Sequence, residues 1–353
     1  MTDPVLQINS GILKRIRRIA LWTILLIVLT AMVCGGWYAS YVFAPGPQLS
    51  TDNAVVTIPK GTSVRGIRNI LAREGVIHND VRFLLLAKFS GTSCKLQAGE
   101  FLLPTGRRPG EVLEALACAR PIQHAVTIPE GLRAAEIAEI FGKNGWCDPE
   151  NFIRLVSDKS FLDGLGFGHL ESLEGYLFPD TYFLTRDIHG AEKLISIMVQ
   201  RSNAVWEEIA ADLDEEPDRF KTVILASIVE EETGSPEERP LIAGVFHNRL
   251  RYGMRLQSDP TVVYGSKKFS KPITRKDLKT PTPYNTYTLP GLPVGPVSNP
   301  GQKALEAVLH PASTKALYFV SKNDGTHHFS KSLAEHNNAV RKYQRKKTVK
   351  KGK

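Results

Sequence analysis

Between Ile19 and Phe43 the chain carries no Asp, Glu, Lys or Arg, in the run IALWTILLIVLTAMVCGGWYASYVF. Hydrocarbon offers no water to backbone amides and carbonyls, so a single crossing segment must be an α-helix that satisfies them internally. About 20 apolar residues rising ~1.5 Å each suffice to cross. The apolar core of a cleaved signal peptide is shorter, roughly 7 to 15 residues, and is followed by an A-x-A-like site. This run is longer and offers no such site, so residues 19–43 read as an uncleaved transmembrane helix. Lys14, Arg15, Arg17 and Arg18 precede it and assign residues 1–18 to the cytoplasm, with Trp37, Tyr38 and Tyr41 at the far interface. The expectation is a single-pass protein of the cytoplasmic (inner) membrane whose residues from about Pro45 onward are extracytoplasmic.

The chain has 353 residues, 42% hydrophobic and 23% charged, which suits two or three globular domains. Its net charge of +9 is concentrated at the ends. Four basic residues oppose Asp3 before the apolar run, and residues 341–353 hold eight basic and no acidic residues, leaving about −2 for everything between. A body so near neutral has no basic groove for phosphates, and nucleic acid is not an expected partner. The basic tail, 345–353, reads as solvated, with attraction to anionic polymer or headgroups as the lesser reading. Of the four cysteines, Cys94, Cys118 and Cys147 follow the apolar run. Three cannot all pair internally and their spacing fits no metal motif, so one optional disulfide or buried thiols is expected, with no metal and no cofactor.

A duplication organises the next part. After a Pro/Gly/Ser-rich linker, 44–53, the segment VVTIPKGTSVRGIRNILAREGVI (Val55 to Ile77) aligns without gaps with AVTIPEGLRAAEIAEIFGKNGWC (Ala125 to Cys147), eight of 23 positions being identical. Each copy reads as a short strand closed by Pro-x-Gly, then a helix with Ile67, Ile70 and Leu71, or Ile137, Ile140 and Phe141, on one face. Residues 54–160 are thus a duplicated βα region, either a LysM-like sugar-binding module or a platform that spaces the remainder from the membrane. From Phe161 to Leu184 the chain is rich in Gly and aromatics and reads as loop and extended chain. A helix over about 191–213 is followed by one over 217–233 whose centre, VILASIV, is apolar on nearly every face and therefore buried. Ser235-Pro236-Glu237-Glu238 reads as a capping box opening the next helix, to about Leu250. Pro-rich loops over 280–300, a short helix, a strand pair and a last helix complete an α+β chain.

Glycosidic cleavage needs a carboxylic acid able to stay protonated near neutral pH. Glu230, at the carboxy-terminal end of the apolar helix, meets that need: desolvation and the negative end of the helix dipole both disfavour its charged form, and Glu231 and Glu232 add like charge.

The segment LASIVEEETGSPEERPLIAGVFHNRLRYGMRLQSDPTVVYG, with LEGYLFPDTY, TPYNTY, GLPVGP, HHFS and EHN elsewhere, resembles the endolytic murein transglycosylase, or YceG-like, family from the apolar run to about residue 344. The resemblance implies a membrane anchor, a LysM-like region and a mainly helical, lysozyme-like catalytic domain over 161–344 with a small β part. It implies Glu230 as the catalytic residue, on the first Glu of A-S-I-V-E-x-E-T. The middle position, often basic in relatives, is Glu231 here. The implied activity is cleavage of the MurNAc–GlcNAc bond within nascent peptidoglycan glycan strands, leaving 1,6-anhydroMurNAc ends and limiting strand elongation, with synthases as possible neighbours. Such a reaction needs no second carboxylate, because the C6 hydroxyl of the same sugar attacks and one Glu serves as acid and then base. The other site residues are then binders: Gln257, Asp259 and Tyr264 in the loop after the helix that ends near Leu250, Tyr284, Asn285 and Tyr287 in the Pro-rich loop, and Glu174, Tyr176 and Asp180 in the aromatic loop, with Glu232 beside the catalytic position. His328, His336 and Asn337 read as structural. The competing reading is a catalytically silent, membrane-tethered peptidoglycan-binding scaffold.

Overall fold

The computed structural model describes residues 10–92, 96–269 and 271–344, so Cys94 and the basic tail lie outside the described residues. Helix and sheet are mixed, and the chain divides into a smaller unit that ends at His124, joined by Thr185–Asp187, and a larger unit made of the rest.

The smaller unit begins with α1 (Ser10–Val42), longer at its start than the expected span because the basic residues before Ile19 are good helix formers. Most of α1 is exposed and apolar, but Tyr41 near its end is buried in this unit's core. Then come β1 (Asn53–Ile58), α2 (Val64–Arg73), α3 (Arg82–Phe89), β2 (Gly99–Pro104) and α4 (Pro109–Cys118). β1 and β2 pair antiparallel with Val56 opposite Phe101, both fully buried. The linker over 44–53 is not free: Gly46 N–H donates to the Arg107 carbonyl, Gly106 to that of Pro47 and Thr105 to that of Asp52. A Cβ on Gly46 would lie 2.7 Å from the Val76 carbonyl oxygen, so the backbone there approaches too closely for any other residue.

The larger unit runs β3 (His124–Thr127), α5 (Ala134–Lys143), α6 (Pro149–Val156), α7 (Lys159–Gly164), β4 (Thr181–Leu184), α8 (Ala191–Ala210), α9 (Arg219–Glu232), a 3-10 turn (Pro236–Glu238) and α10 (Arg239–Arg251). It continues with α11 (Asp259–Ser266), α12 (Arg275–Lys279), α13 (Gln302–Leu309), an antiparallel pair β5 (Tyr318–Ser321) and β6 (His327–Ser330), and α14 (Leu333–Tyr343). One apolar core joins side chains from Val126 to Val308, with α9 at its centre.

Both copies of the duplication fold alike locally. Gly61 and Gly131 take φ of 79° and 80° in the turn, and Leu71 and Phe141 are both buried on the helices that follow. They are completed differently. β1 pairs with β2 inside the smaller unit, whereas β3 pairs with β4, which ends the aromatic loop, so the second copy belongs to the larger unit rather than with the first.

Two local expectations are corrected. Ser235 does not form a capping box: its hydroxyl donates to Glu237, and the Glu238 carboxylate instead accepts from the backbone N–H of His327, its side chain lying 2.8 Å from His327 Nδ1. The stretch after α10 is not all loop, because Ser258-Asp259-Pro260 opens α11 with Pro at its start and Thr274 caps α12 by accepting from Asp277 N–H. Cys34 and Cys118 are exposed, Cys147 is half-buried, and all three are free thiols.

Candidate active site

Eight consecutive residues of α9, Thr222 to Val229, are buried, so packing rather than intrinsic propensity holds a helix rich in β-branched residues. The three acids that end it are rotated about 100° from one to the next and diverge.

Glu230 is 7% exposed at its side chain. One oxygen accepts from Arg239 Nη2 at 2.7 Å and the other from the Gly301 N–H at 3.0 Å. Arg239 Nη2 also donates to Glu130 Oε2 at 3.2 Å, so one guanidinium bridges two carboxylates. Glu130 is held above the usual carboxylate range by burial first and by the charge of Glu230 second, against the pull of Arg239. Gly301 completes the arrangement by close approach: a Cβ there would lie 1.9 Å from Glu130 Oε1. The apolar helix therefore does not leave Glu230 without partners, as its position alone suggested, because each oxygen has a donor brought from elsewhere.

Its two neighbours on the helix are also desolvated. Glu231 opens to solvent on one side and lies against the cleft wall on the other, where burial pushes its carboxyl up to about 7. Glu232 is raised by burial, opposed chiefly by the hydroxyl of Ser258, which donates to it at 2.7 Å.

Glu230 and Glu231 face a cleft of about 650 Å³, walled by Glu130, Arg133, Asp259, Tyr264 and Phe269 among others. Arg133 lies over the Phe269 ring, 3.4 Å from its centroid. A second cavity of about 360 Å³ is lined by Glu232, Gln257, Tyr287 and Tyr318, and Asp259 borders both. Asp259 accepts from the Tyr287 hydroxyl at 2.6 Å. Gln257, in the left-handed region at φ 51°, is fixed by the Thr286 carbonyl, while Thr286 and Thr261 share a buried hydroxyl contact under the start of α11.

Of the ten expected binders, Asp259, Tyr264, Gln257, Tyr287 and Glu232 line one cavity or the other, and Tyr284 packs on Tyr264 with centroids 4.7 Å apart. The remaining four are engaged in holding the fold. Asn285 is buried, its amide donating to the carbonyls of Asp277, Leu278 and Thr280. Tyr176 is buried against Phe167 and Arg219. Asp180 pairs with Arg201 at 2.7 Å. Glu174 accepts from the Ala134 N–H, the Asn299 amide and the Tyr264 hydroxyl, and burial pushes it up to about 7. His336 stacks on Tyr318, and both line the smaller cavity.

Glu130, Arg239, Gly301 and Asn299 were not anticipated. Glu130 had one sequence signal, since it occupies the position of Lys60 in the duplication; the others had none.

The sequence profile of the YceG-like family matches residues 56–342. The chain belongs to the YceG-like family. Among similar proteins, an endolytic murein transglycosylase of Bacillus subtilis is 32% identical over 329 residues, covering 88% of this chain and 91% of its own. One from Streptococcus pneumoniae is 28% identical over 351 residues, covering 89% of this chain and 63% of its own, so this YceG-like chain spans less than two thirds of that relative. A solved YceG-like protein from Listeria monocytogenes is 31% identical, covers 82% of this chain with its whole length, and superposes with a TM-score of 0.55.

Proposed function

We propose that this chain is a membrane-anchored endolytic murein transglycosylase in which Glu230 is the acid and base. The observation that carries the reading is the placement of Glu230 on the wall of an open cleft, at the end of a rigid buried helix, with a donor on each oxygen. A group so fixed is positioned before substrate arrives, which is how a site lowers the entropic part of its barrier. To donate, Glu230 takes a proton and releases Arg239. Arg239 then keeps Glu130 as a partner, so protonation of Glu230 leaves no lone buried guanidinium, a state that would cost several kcal/mol. The protonated carboxyl gives its proton to the oxygen between MurNAc and GlcNAc. The C6 hydroxyl of the MurNAc attacks its own C1, and the Glu230 carboxylate takes that hydroxyl proton. The bond to the leaving sugar breaks, a 1,6-anhydro ring closes, and no water is consumed.

Asp259, Gln257, Tyr264 and Tyr287 are the binders, and Tyr284 supports Tyr264. Glu174 and Asn299 position this set from behind, and Glu232 holds Ser258 at the start of α11. In the same reading α1 spans the inner membrane with its amino terminus in the cytoplasm and the rest outside, as the four basic residues before Ile19 favour. The duplicated region, 54–160, is LysM-like, residues 161–344 are lysozyme-like, and the partners are glycan strands with synthases nearby.

Incubating the protein with glycan strands and analysing the products by mass spectrometry tests this. Wild type is expected to release 1,6-anhydroMurNAc ends. Glu230→Gln, which keeps shape but cannot deliver a proton, is expected to lose about 10² to 10⁴ in rate or more, one group serving both steps. Glu232→Gln should be milder. Reducing ends in the products would make water the nucleophile and the enzyme a muramidase, with Asp259 the first candidate for its base.

A further inference from the structure

α3 has two apolar faces. Phe83, Leu86 and Ala87 fill the core of the smaller unit. Val81, Leu85 and Phe89, spaced by four residues, form a second stripe that is 59%, 38% and 73% exposed. Removing such side chains from water is favourable in proportion to the apolar area covered, so a helix that presents three in a row is built to meet something apolar.

The position of the stripe says what. Arg82 lies over the rings of Trp37 and Tyr41 at 5.0 and 5.1 Å, and its guanidinium donates to the Trp37 carbonyl and the Ser40 hydroxyl. Asp80 holds the other side of that guanidinium at 2.6 Å. The edge of the Tyr38 ring meets Phe89 at 6.1 Å, nearly perpendicular. These contacts fasten α3 to the last turns of α1, and the backbone bonds of the 44–53 segment remove the remaining slack. From Ile19 to Tyr38 a helix rises about 28 Å, close to the ~30 Å of bilayer hydrocarbon. Tyr38 therefore falls at the outer boundary of the hydrocarbon, and Phe89 falls there with it.

We propose that α3 is a membrane-docking element: Val81, Leu85 and Phe89 enter the headgroup and upper acyl region of the outer face of the bilayer, with the exposed Lys88 among the phosphates. The occupant is lipid because the stripe is continuous with the exposed apolar surface of α1 and sits at the depth where Trp37 and Tyr38 already lie. The inference rests on the reading of α1 as a span. Its consequence is that the smaller unit is held flat on the membrane by two attachments rather than swinging on one.

The test uses the full chain with its four cysteines replaced by Ser and single nitroxide-labelled cysteines introduced as Leu29→Cys, Leu85→Cys, Phe89→Cys or Lys60→Cys. The protein is reconstituted in phosphatidylethanolamine and phosphatidylglycerol vesicles, and collision with oxygen is compared with collision with a water-soluble nickel chelate. Lipid-like behaviour is expected at 29 and water-like behaviour at 60. At 85 and 89 the oxygen-to-nickel ratio should stand several-fold above that at 60. Water-like values at 85 and 89 with a lipid-like value at 29 overturn docking and leave the anchor standing. A water-like value at 29 removes the anchor reading and the inference with it. Labels at 85 and 89 shielded from both probes would mean that a second copy of the chain covers the stripe, which also overturns it.

Discussion

The two copies of the duplicated segment share a turn, a helix and a buried face, yet one is a small self-contained lobe and the other is a wall of the cleft. The first helix is capped locally, its Ser63 hydroxyl accepting from Gly66 N–H. The second has Arg133 in that place, and the free N–H of Ala134 is satisfied by Glu174, forty residues along the chain. At the turn the first copy has Lys60, exposed, and the second has Glu130, bound to Arg239. The two copies keep apolar side chains at their buried helix positions, whereas the polar groups at the turn and cap differ and tie only the second copy to the cleft.

The largest effects should come from the shared apolar positions. Phe141→Ala is expected to cost about 3 to 5 kcal/mol and Leu71→Ala about 2 to 5, both sites being buried. Hydrogen exchange should show the first loosening amides of the larger unit, with activity lost, and the second loosening only the smaller one. Equal loosening of both units by either change would erase the distinction between the copies.

Next is the distant cap. Burial raises Glu174 to about 7 from an ordinary 4.5, so the folded protein holds this proton more tightly than the unfolded chain. The corresponding stability is fully present below about pH 4.5 and is lost as pH rises through about 7. Glu174→Gln keeps the shape without titrating. Melting curves from pH 4.5 to 8 should therefore show wild type losing on the order of 1 to 3 kcal/mol relative to the variant. Parallel curves would mean that the carboxyl is not desolvated.

The turn residues come third. Glu130→Gln should lower the cleavage rate about tenfold, as expected for weakening a hydrogen bond between charged groups, while Lys60→Gln leaves it unchanged. An unaffected Glu130→Gln would detach the second copy from the chemistry. The smallest effects belong to the glycines. Gly131→Ala and Gly61→Ala should each cost about 1 kcal/mol, because both sit at positive φ. Only Gly131→Ala should also reduce activity, by a few-fold, since its Cβ would lie 3.3 Å from Glu231 Oε1, whereas nothing lies within 4 Å of the Gly61 position.

Much of this molecule is written in short-range patterns. The apolar run through Phe43 and the buried α9 follow from unbroken apolar stretches, and the βα duplication and the end of α10 near Leu250 from periods of two and 3.6 residues, all of which a sequence displays directly. Ser258-Asp259-Pro260 opens α11, but in a sequence a Pro beside an Asp reads equally well as a turn. Polar side chains were harder. Asn285 and Tyr287 are two residues apart in one motif, yet Asn285 ties three carbonyls together while Tyr287 reaches a cavity.

The sequence by itself determined where the longer helices and the duplicated βα segments form, that the first helix can cross a membrane, and that a carboxylate ends the buried helix. Only the tertiary structure decided which carboxylate has which partner. Burial of a titratable group creates a demand for hydrogen bonds, and that demand is met by whatever the fold brings near. For Glu230 this was Arg239 nine residues on and Gly301 seventy-one residues on. For Glu174 it was the second copy of the duplication. The local code specifies the need, and the fold chooses the donor, because contacts so distant in sequence exist only once the core has closed.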